Sequence, residues 1–248
     1  MEECQKKELI LYRAACAYYK KDFHRSSSEF EKLANITSCK NDHSSFSLTD
    51  SVIRSLLKAD FVDHKNVLKM LEHSLSSSVC TYGGQLQYWS LYLQVYQKVK
   101  LFDKTHFRIN VLLCAVVGLP EHWIALAEFG SEQSSFYWGC YCRALYLLQL
   151  QTMNCQGFMR EISEKKLSEI QKKFSRSTCE SFIVKECMKR MKENNFNNES
   201  TSLIDPKMKC LYKDDKEQER IINDFVERYS WLFENDSHLL DMLKFDER

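Results

Sequence analysis

"LYRAACAYYKKDFHRSSSEFEKL", residues 11–33, holds two amphipathic runs separated by a short polar break that ends at Asp22 and Phe23. Ala14 and Ala15 sit one turn before Tyr18 in the first run, and Phe23, Ser26, Phe30 and Leu33 recur every three or four residues in the second. Such intervals place side chains on one face of a helix. Small residues let two helices approach closely, and aromatic rings fill the space between them. The stretch therefore reads as the heart of a helical hairpin spanning 4–21 and 24–36.

The rest of the chain supports a helical reading. Its 248 residues include only 6 glycines and 2 prolines, where average usage gives roughly 17 and 12. Tight hairpin turns and phosphate-binding loops draw on glycine for positive φ, whereas long helices do not. No segment alternates apolar and polar residues over the length of a strand. The expected fold class is all-α.

Charge and cysteine usage exclude several classes. The formal net charge is +1, from 35 basic and 34 acidic residues, so no global field draws in nucleic acid or an anionic membrane. No uninterrupted apolar run approaches the ~20 residues needed to span a bilayer. The start, MEECQKKELI, is charged at once and lacks the apolar stretch of a secretory signal. A soluble intracellular protein with no membrane association is expected, cytoplasmic or nuclear alike. The 11 cysteines are odd in number; Cys16, Cys114, Cys179 and Cys187 fall on apolar helical faces, where a thiol acts as a small hydrophobe.

Further hairpins follow the first. Residues 48–58 and 63–76 form a second, after a polar loop, TSCKNDHSS; 84–99 and 103–117 form a third, closed by GLP. A fourth helix opens at Glu121, EHWIALAEF, and GSEQSS at 130–135 separates it from an apolar helix over 136–150. Two amphipathic helices are expected near 157–174 and 178–193, then an Asn/Ser-rich linker, then a helix over 214–233. The second helices of the first three hairpins begin near 24, 63 and 103, a period of about 40 residues. Two-helix units repeated in this way bury their apolar faces only by stacking.

The residues of the first hairpin resemble a tetratricopeptide (TPR) repeat, the helix–turn–helix unit of about 34 residues. Leu11, Ala14, Ala15 and Tyr18 stand in its first-helix positions, and Phe23, Ser26, Phe30 and Leu33 in its second. Trp89, Tyr92, Leu93 and Tyr96 match the first helix of a later unit, with Phe102 at the turn and Leu112 near the end. Trp123, Leu126 and Ala127 after Pro120 match most closely. The 48–76 hairpin fits by period and amphipathicity alone, and the turn glycine of the repeat is missing throughout. The order of TPR-like region, Pro-then-Trp-x-x-Leu-Ala-Glu segment and C-terminal helical pair also resembles an animal family named for a human chromosome 8 reading frame. That family carries no chemistry to this chain.

The TPR resemblance implies a helical-hairpin solenoid over 1–130 with additional capping helices. These comprise a helical extension over 131–193, a polar linker over 194–213 and an acidic helix and tail over 214–248. It also implies a partner-binding groove lined by first-helix residues: Tyr12, Cys16, Tyr19 and Lys20 in the first unit, Ser90, Gln94, Gln97 and Lys98 in the third, Ile124 and Glu128 in the fourth. Chaperone-binding members hold a peptide carboxylate with inward Lys and Asn; Tyr12 and Cys16 occupy the corresponding places here, so that activity is not implied. A polar and aromatic groove suits a peptide or a partner helix.

No chemistry-bearing motif competes with this reading. The chain has no G-x-S-x-G elbow, no phosphate-binding glycine loop and no H-E-x-x-H. Cys140 and Cys142 are C-x-C on a helix, where residues two apart do not face each other, and no second pair stands at zinc spacing. His64, His73 and His122 read as surface or packing histidines, although a Cys–His pair that meets only in space leaves no sequence signature. No cofactor, metal or small-molecule substrate is expected. Residues 160–193 hold ten Lys/Arg against six Glu, and 213–248 hold six against eleven acidic residues. Lys165, Lys172 and Arg176 form a stripe with Lys166 and Lys173 beside it. A helical nucleic-acid-binding protein using this stripe is the alternative; a solvated face, or one touching the acidic tail, is the plainer explanation. The leading expectation is a non-enzymatic protein–protein interaction scaffold, a subunit of an intracellular assembly.

Overall fold

The computed structural model describes residues 3–37, 42–59, 66–71, 82–100, 102–176, 181–193 and 215–244. Every regular element among them is helical. The expected linker at 194–213, the bend at 60–63, His64, His73 and Cys179 lie outside the described residues. Two compact units divide the chain, Met1–Leu101 and Phe102–Arg248.

In the first unit α1 (Glu3–Tyr19) and α2 (Phe23–Thr37) form the hairpin, and α3 (Asp42–Lys58) packs on α2. A helical stretch over 66–71 is α4, and α5 is Tyr82–Val99. The start of α3 at Asp42 takes up part of the segment read as a polar loop. The α1–α2 turn closes without glycine. Lys21 adopts φ 62°, its N–H donates to the Tyr18 carbonyl, and Asp22 N–H reaches the Ala17 carbonyl at 2.9 Å. Asp22 Oδ1 then accepts from Arg25 N–H at 3.2 Å, capping α2. Lys100, after α5, takes the same left-handed conformation.

Small side chains set the spacing of these helices. Ser26 and Ser55 are fully buried; Ser26 Oγ lies 3.1 Å from the Ala14 carbonyl and 3.2 Å from Ser55 Oγ, joining α1, α2 and α3 at one point. Ala14, Phe30 and Val52 form the core beside it, with Leu48, Leu56 and Met70 against them. On α5, Trp89, Tyr92, Leu93 and Tyr96 are all buried, and the Tyr92 and Tyr96 rings stack at 4.3 Å.

The second unit is built around α8. Its helices are α6 (Lys104–Val116), α7 (Pro120–Ala127), α8 (Ser135–Asn154), α9 (Gly157–Arg176), α10 (Ser181–Glu193), α11 (Asp215–Arg228) and α12 (His238–Leu243), with a 3-10 turn at Ser230–Phe233. Local signals set the starts. Asp103 accepts from His106 N–H at 2.8 Å, Pro120 opens α7, and Ser134 accepts from Tyr137 N–H at 3.2 Å. α7, α9 and α10 pack on α8, while α11 and α12 pack on α6.

The helices read as one hairpin over 84–117, α5 and α6, therefore fall in different units. The reason lies on α6, where five consecutive residues from Asn110 to Cys114 are buried. The outer helix of a simple hairpin keeps one face in water. α6 instead needs cover on several sides and takes it from α7, α11 and α12.

That cover comes from the acidic C-terminal segment. Ile221, Ile222, Phe225, Tyr229 and Leu232 are all buried, and the helix breaks at Tyr229 into the 3-10 turn rather than running straight to Phe233. Phe225 and Tyr229 meet Trp123 of α7 at 5.5 and 5.1 Å between ring centroids. Trp231 and Leu232 press against Gly139 of α8, where a Cβ would collide with the Leu232 side chain. Phe233 meets Phe136 at 5.4 Å, and Arg190 of α10 donates to Glu234 at 2.8 Å. The segment thus reaches α6 and α7 as well as α8 and α10.

Candidate functional site

A cleft of about 210 Å³ opens in the first unit, lined by Ala15, Tyr18 and Tyr19 of α1, Phe30 of α2, and Ser51 and Arg54 of α3. Phe30, with its ring in the core, and the small Ala15 make the cavity possible. Tyr18 is held on both sides: its ring meets Phe23 edge-on at 5.5 Å, and Lys58 Nζ stands 4.6 Å over it. Tyr19 stands almost free, 86% exposed, with its ring at right angles to that of Tyr18. Arg54 Nε donates to Asp50 at 2.8 Å, and its Nη1 reaches Gln94 of α5 at 3.5 Å. Ser51 donates to its own helix, at the Ser47 carbonyl. The result is an apolar floor and aromatic wall beside one oriented guanidinium.

The volume limits what fits. Pockets for drug-sized ligands and cofactors run to about 300–1,000 Å³. This cleft is smaller and has room for one or two apolar side chains.

The residues expected to line a groove divide between the two units. Tyr12, Tyr19 and Lys20 are exposed on α1, and Cys16 is half-buried between them. Tyr12 and Cys16 share a side-chain hydrogen bond that raises the phenol above its usual range. On α5, Gln94 and Lys98 are exposed and Ser90 and Gln97 half-buried; only Gln94 is tied to the cleft, through Arg54. Ile124 and Glu128 belong to the second unit. Burial raises the Glu128 carboxyl, and Lys173 partly offsets that rise. The residues that sequence missed are Tyr18 and Phe30, which read as pure core, and Ser51 and Arg54, on a helix without the repeat's signature.

The basic stripe of α9 is partly consumed inside the second unit. Lys166 pairs with Glu121 of α7. Lys173 donates to Tyr141 at 2.8 Å and lies over the rings of Tyr137 and Tyr141. Burial pushes the Tyr137 phenol up to about 12. Lys165 and Lys172 remain exposed.

The buried thiols at the centre of the second unit are unsuited to nucleophilic chemistry. Cys114, Cys140 and Cys142 are buried, and burial pushes each thiol upward. Nucleophilic cysteines need the opposite shift. Among the described residues no three His, Cys, Asp or Glu side chains are grouped to hold a metal ion, and no helix is long and apolar enough to cross a membrane. The polar interior, with Arg143 stacked 6.0 Å from Trp123 and 5.4 Å from Tyr146, is part of the packing. No protein-family model, curated protein or solved structure matches the chain.

Proposed function

We propose that the chain is a non-enzymatic protein-interaction module, a subunit of an intracellular assembly, that receives a peptide or partner helix in the α1–α3 cleft. The observation that carries this is the cleft itself: aromatic, side-chain-sized and flanked by a tyrosine left 86% exposed. Aromatic residues at such exposure are the usual anchors of protein interfaces. The α1–α2–α3 succession, with Ala14, Ser26 and Ser55 at the crossing, supports a TPR-like arrangement in which first helices of successive hairpins line the binding face.

The test is a cleft-filling substitution. Ala15→Trp places an indole where the partner's side chain would sit and leaves the Ala14 core untouched. Native co-purification of the full chain is compared between parent and variant, with partners quantified. Loss of the same proteins from Ala15→Trp at an unchanged melting temperature supports the cleft; an unchanged set of partners overturns it.

A further inference from the structure

α1 is apolar on more than its buried face. Ile10, Ala14 and Ala17 point into the core. Leu9, Tyr12, Cys16 and Tyr19 follow one another at spacings of three, four and three along the opposite side. Leu9, Tyr12 and Tyr19 are exposed, Tyr12 at 67%. This is the a and d pattern of a coiled-coil seam, with Gln5 one step earlier.

The edge of that seam is charged in one sense. Lys6, Arg13 and Lys20 recur every seven residues, each directly after a d position, and all three are exposed. These are the e positions, whose charges choose partner and orientation in paired helices. Glu3 is engaged by Lys7 at 2.9 Å and Glu8 by the Cys4 thiol. Among the described residues, neither Arg13 nor Lys20 forms an ion pair. The chain as a whole is nearly neutral at +1, so the basic edge is a local feature.

We infer that the outer face of α1 docks an amphipathic helix whose flank is acidic, with its apolar stripe on Leu9, Tyr12, Cys16 and Tyr19 and its carboxylates along Lys6, Arg13 and Lys20. The inference rests on the interaction reading above and adds the chemistry of the partner. Tyr19 belongs to both surfaces, so a helix on the seam can send a side chain into the cleft. A second copy of the chain is a poorer occupant. In an antiparallel pair e positions face each other, which sets three cations against three; in a parallel pair only Glu8 offers an acid opposite Arg13.

Two synthetic helical peptides of the same apolar stripe test this, one carrying Glu at its flanking positions and one Lys, titrated onto the full chain by fluorescence anisotropy. The Glu-flanked peptide is expected to bind roughly ten-fold tighter at low salt and to lose most of that advantage as salt shortens the screening length. Arg13→Glu with Lys20→Glu should reverse the order of the two peptides, and Tyr12→Ser with Tyr19→Ser should weaken both. All four residues are exposed, so melting temperatures should not move. Equal affinities, an order that survives charge reversal, or no saturable binding overturns the inference. So does a stable dimer of the parent chain that Tyr12→Ser and Tyr19→Ser dissolve, since the seam is then filled by a second copy. A peptide that binds without charge preference yet is excluded by Ala15→Trp overturns the partner chemistry alone. Native partners that ignore Ala15→Trp overturn the cleft reading itself.

Discussion

The two units solve the same packing problem in opposite ways. In the first, helices pack in chain order, α1 on α2 and α2 on α3, and α1 keeps two aromatic side chains, Tyr12 and Tyr19, in contact with water. In the second, the chain returns to its own beginning. α11, the 3-10 turn and α12 fold onto α6, α7 and α8, and the large aromatics Trp123, Phe136, Phe225 and Phe233 end up inside. Chain-order packing leaves the α1 tyrosines exposed beside a cleft, whereas closure buries the aromatics of the C-terminal segment and leaves Phe158 and Met159 of α9 and Phe182 of α10 on the surface. Under the proposed function, binding belongs to the first unit, which carries the cleft, and structural support to the second.

Removing the closing segment should break the comparison most severely. A chain ending at Asn198 loses the burial of Ile221, Ile222, Phe225, Tyr229 and Leu232. At about 1.5–3 kcal/mol each, treated as an upper bound, that approaches the ~5–15 kcal/mol total stability of a domain. The shortened chain should lose the second unit's unfolding transition in calorimetry. A parental transition would mean that the segment is a detachable partner helix.

Trp123→Ala should cost roughly 3–5 kcal/mol, the usual effect of emptying a large aromatic site. The indole is 1% exposed, and its loss strips Phe225, Tyr229 and Arg143 of a common neighbour. Denaturant titration measures it. Gly139→Leu probes the same closure from α8: the added side chain meets Leu232 and Trp231, and overpacking of this kind costs about 1–3 kcal/mol. Neither change should alter partner binding by α1.

The second unit should also weaken in mild acid. Burial holds the His122 imidazole below its ordinary range, against a smaller opposing effect of Glu121. The unfolded chain therefore binds the proton first. Stability is full above the ordinary histidine pKa of about 6.5 and falls as pH drops through that value. The melting temperature of His122→Gln should depend less on pH across this window than that of the parent. In the first unit the smallest effect is expected from Lys21→Gly, which relieves a left-handed residue and should stabilise the hairpin by about 0.5–1 kcal/mol net.

Much of this helical character is legible in the sequence, because glycine scarcity and apolar spacing are local properties. Ala14, Phe30 and Leu33 are buried on the faces their spacing indicates, and Pro120 and Ser134 start helices by local chemistry. Which helix packs on which is not local. The unit boundary at Leu101 and Phe102 cuts a hairpin that periodicity alone would keep, because the burial of α6 depends on helices more than a hundred residues later. Of the groove residues that the TPR resemblance implies, Tyr19 alone lies in the lining of the cleft, whereas Arg54 reaches that lining only through the position of α3, which no local pattern encodes. The turns near residues 22 and 102 are legible as breaks between the helical patterns, whereas the left-handed lysines within them carry no sequence signal.

The most direct test of the assignment of binding to the first unit is photo-crosslinking from two exposed positions in the full chain. A benzophenone side chain replaces Tyr19 in one sample and Met153, exposed on α8, in the other. Conjugates to partner proteins should form from position 19, be scarce from position 153, and vanish from position 19 when Ala15→Trp fills the cleft. Equal yields from both positions, or a yield from position 19 that ignores the filled cleft, would contradict the account.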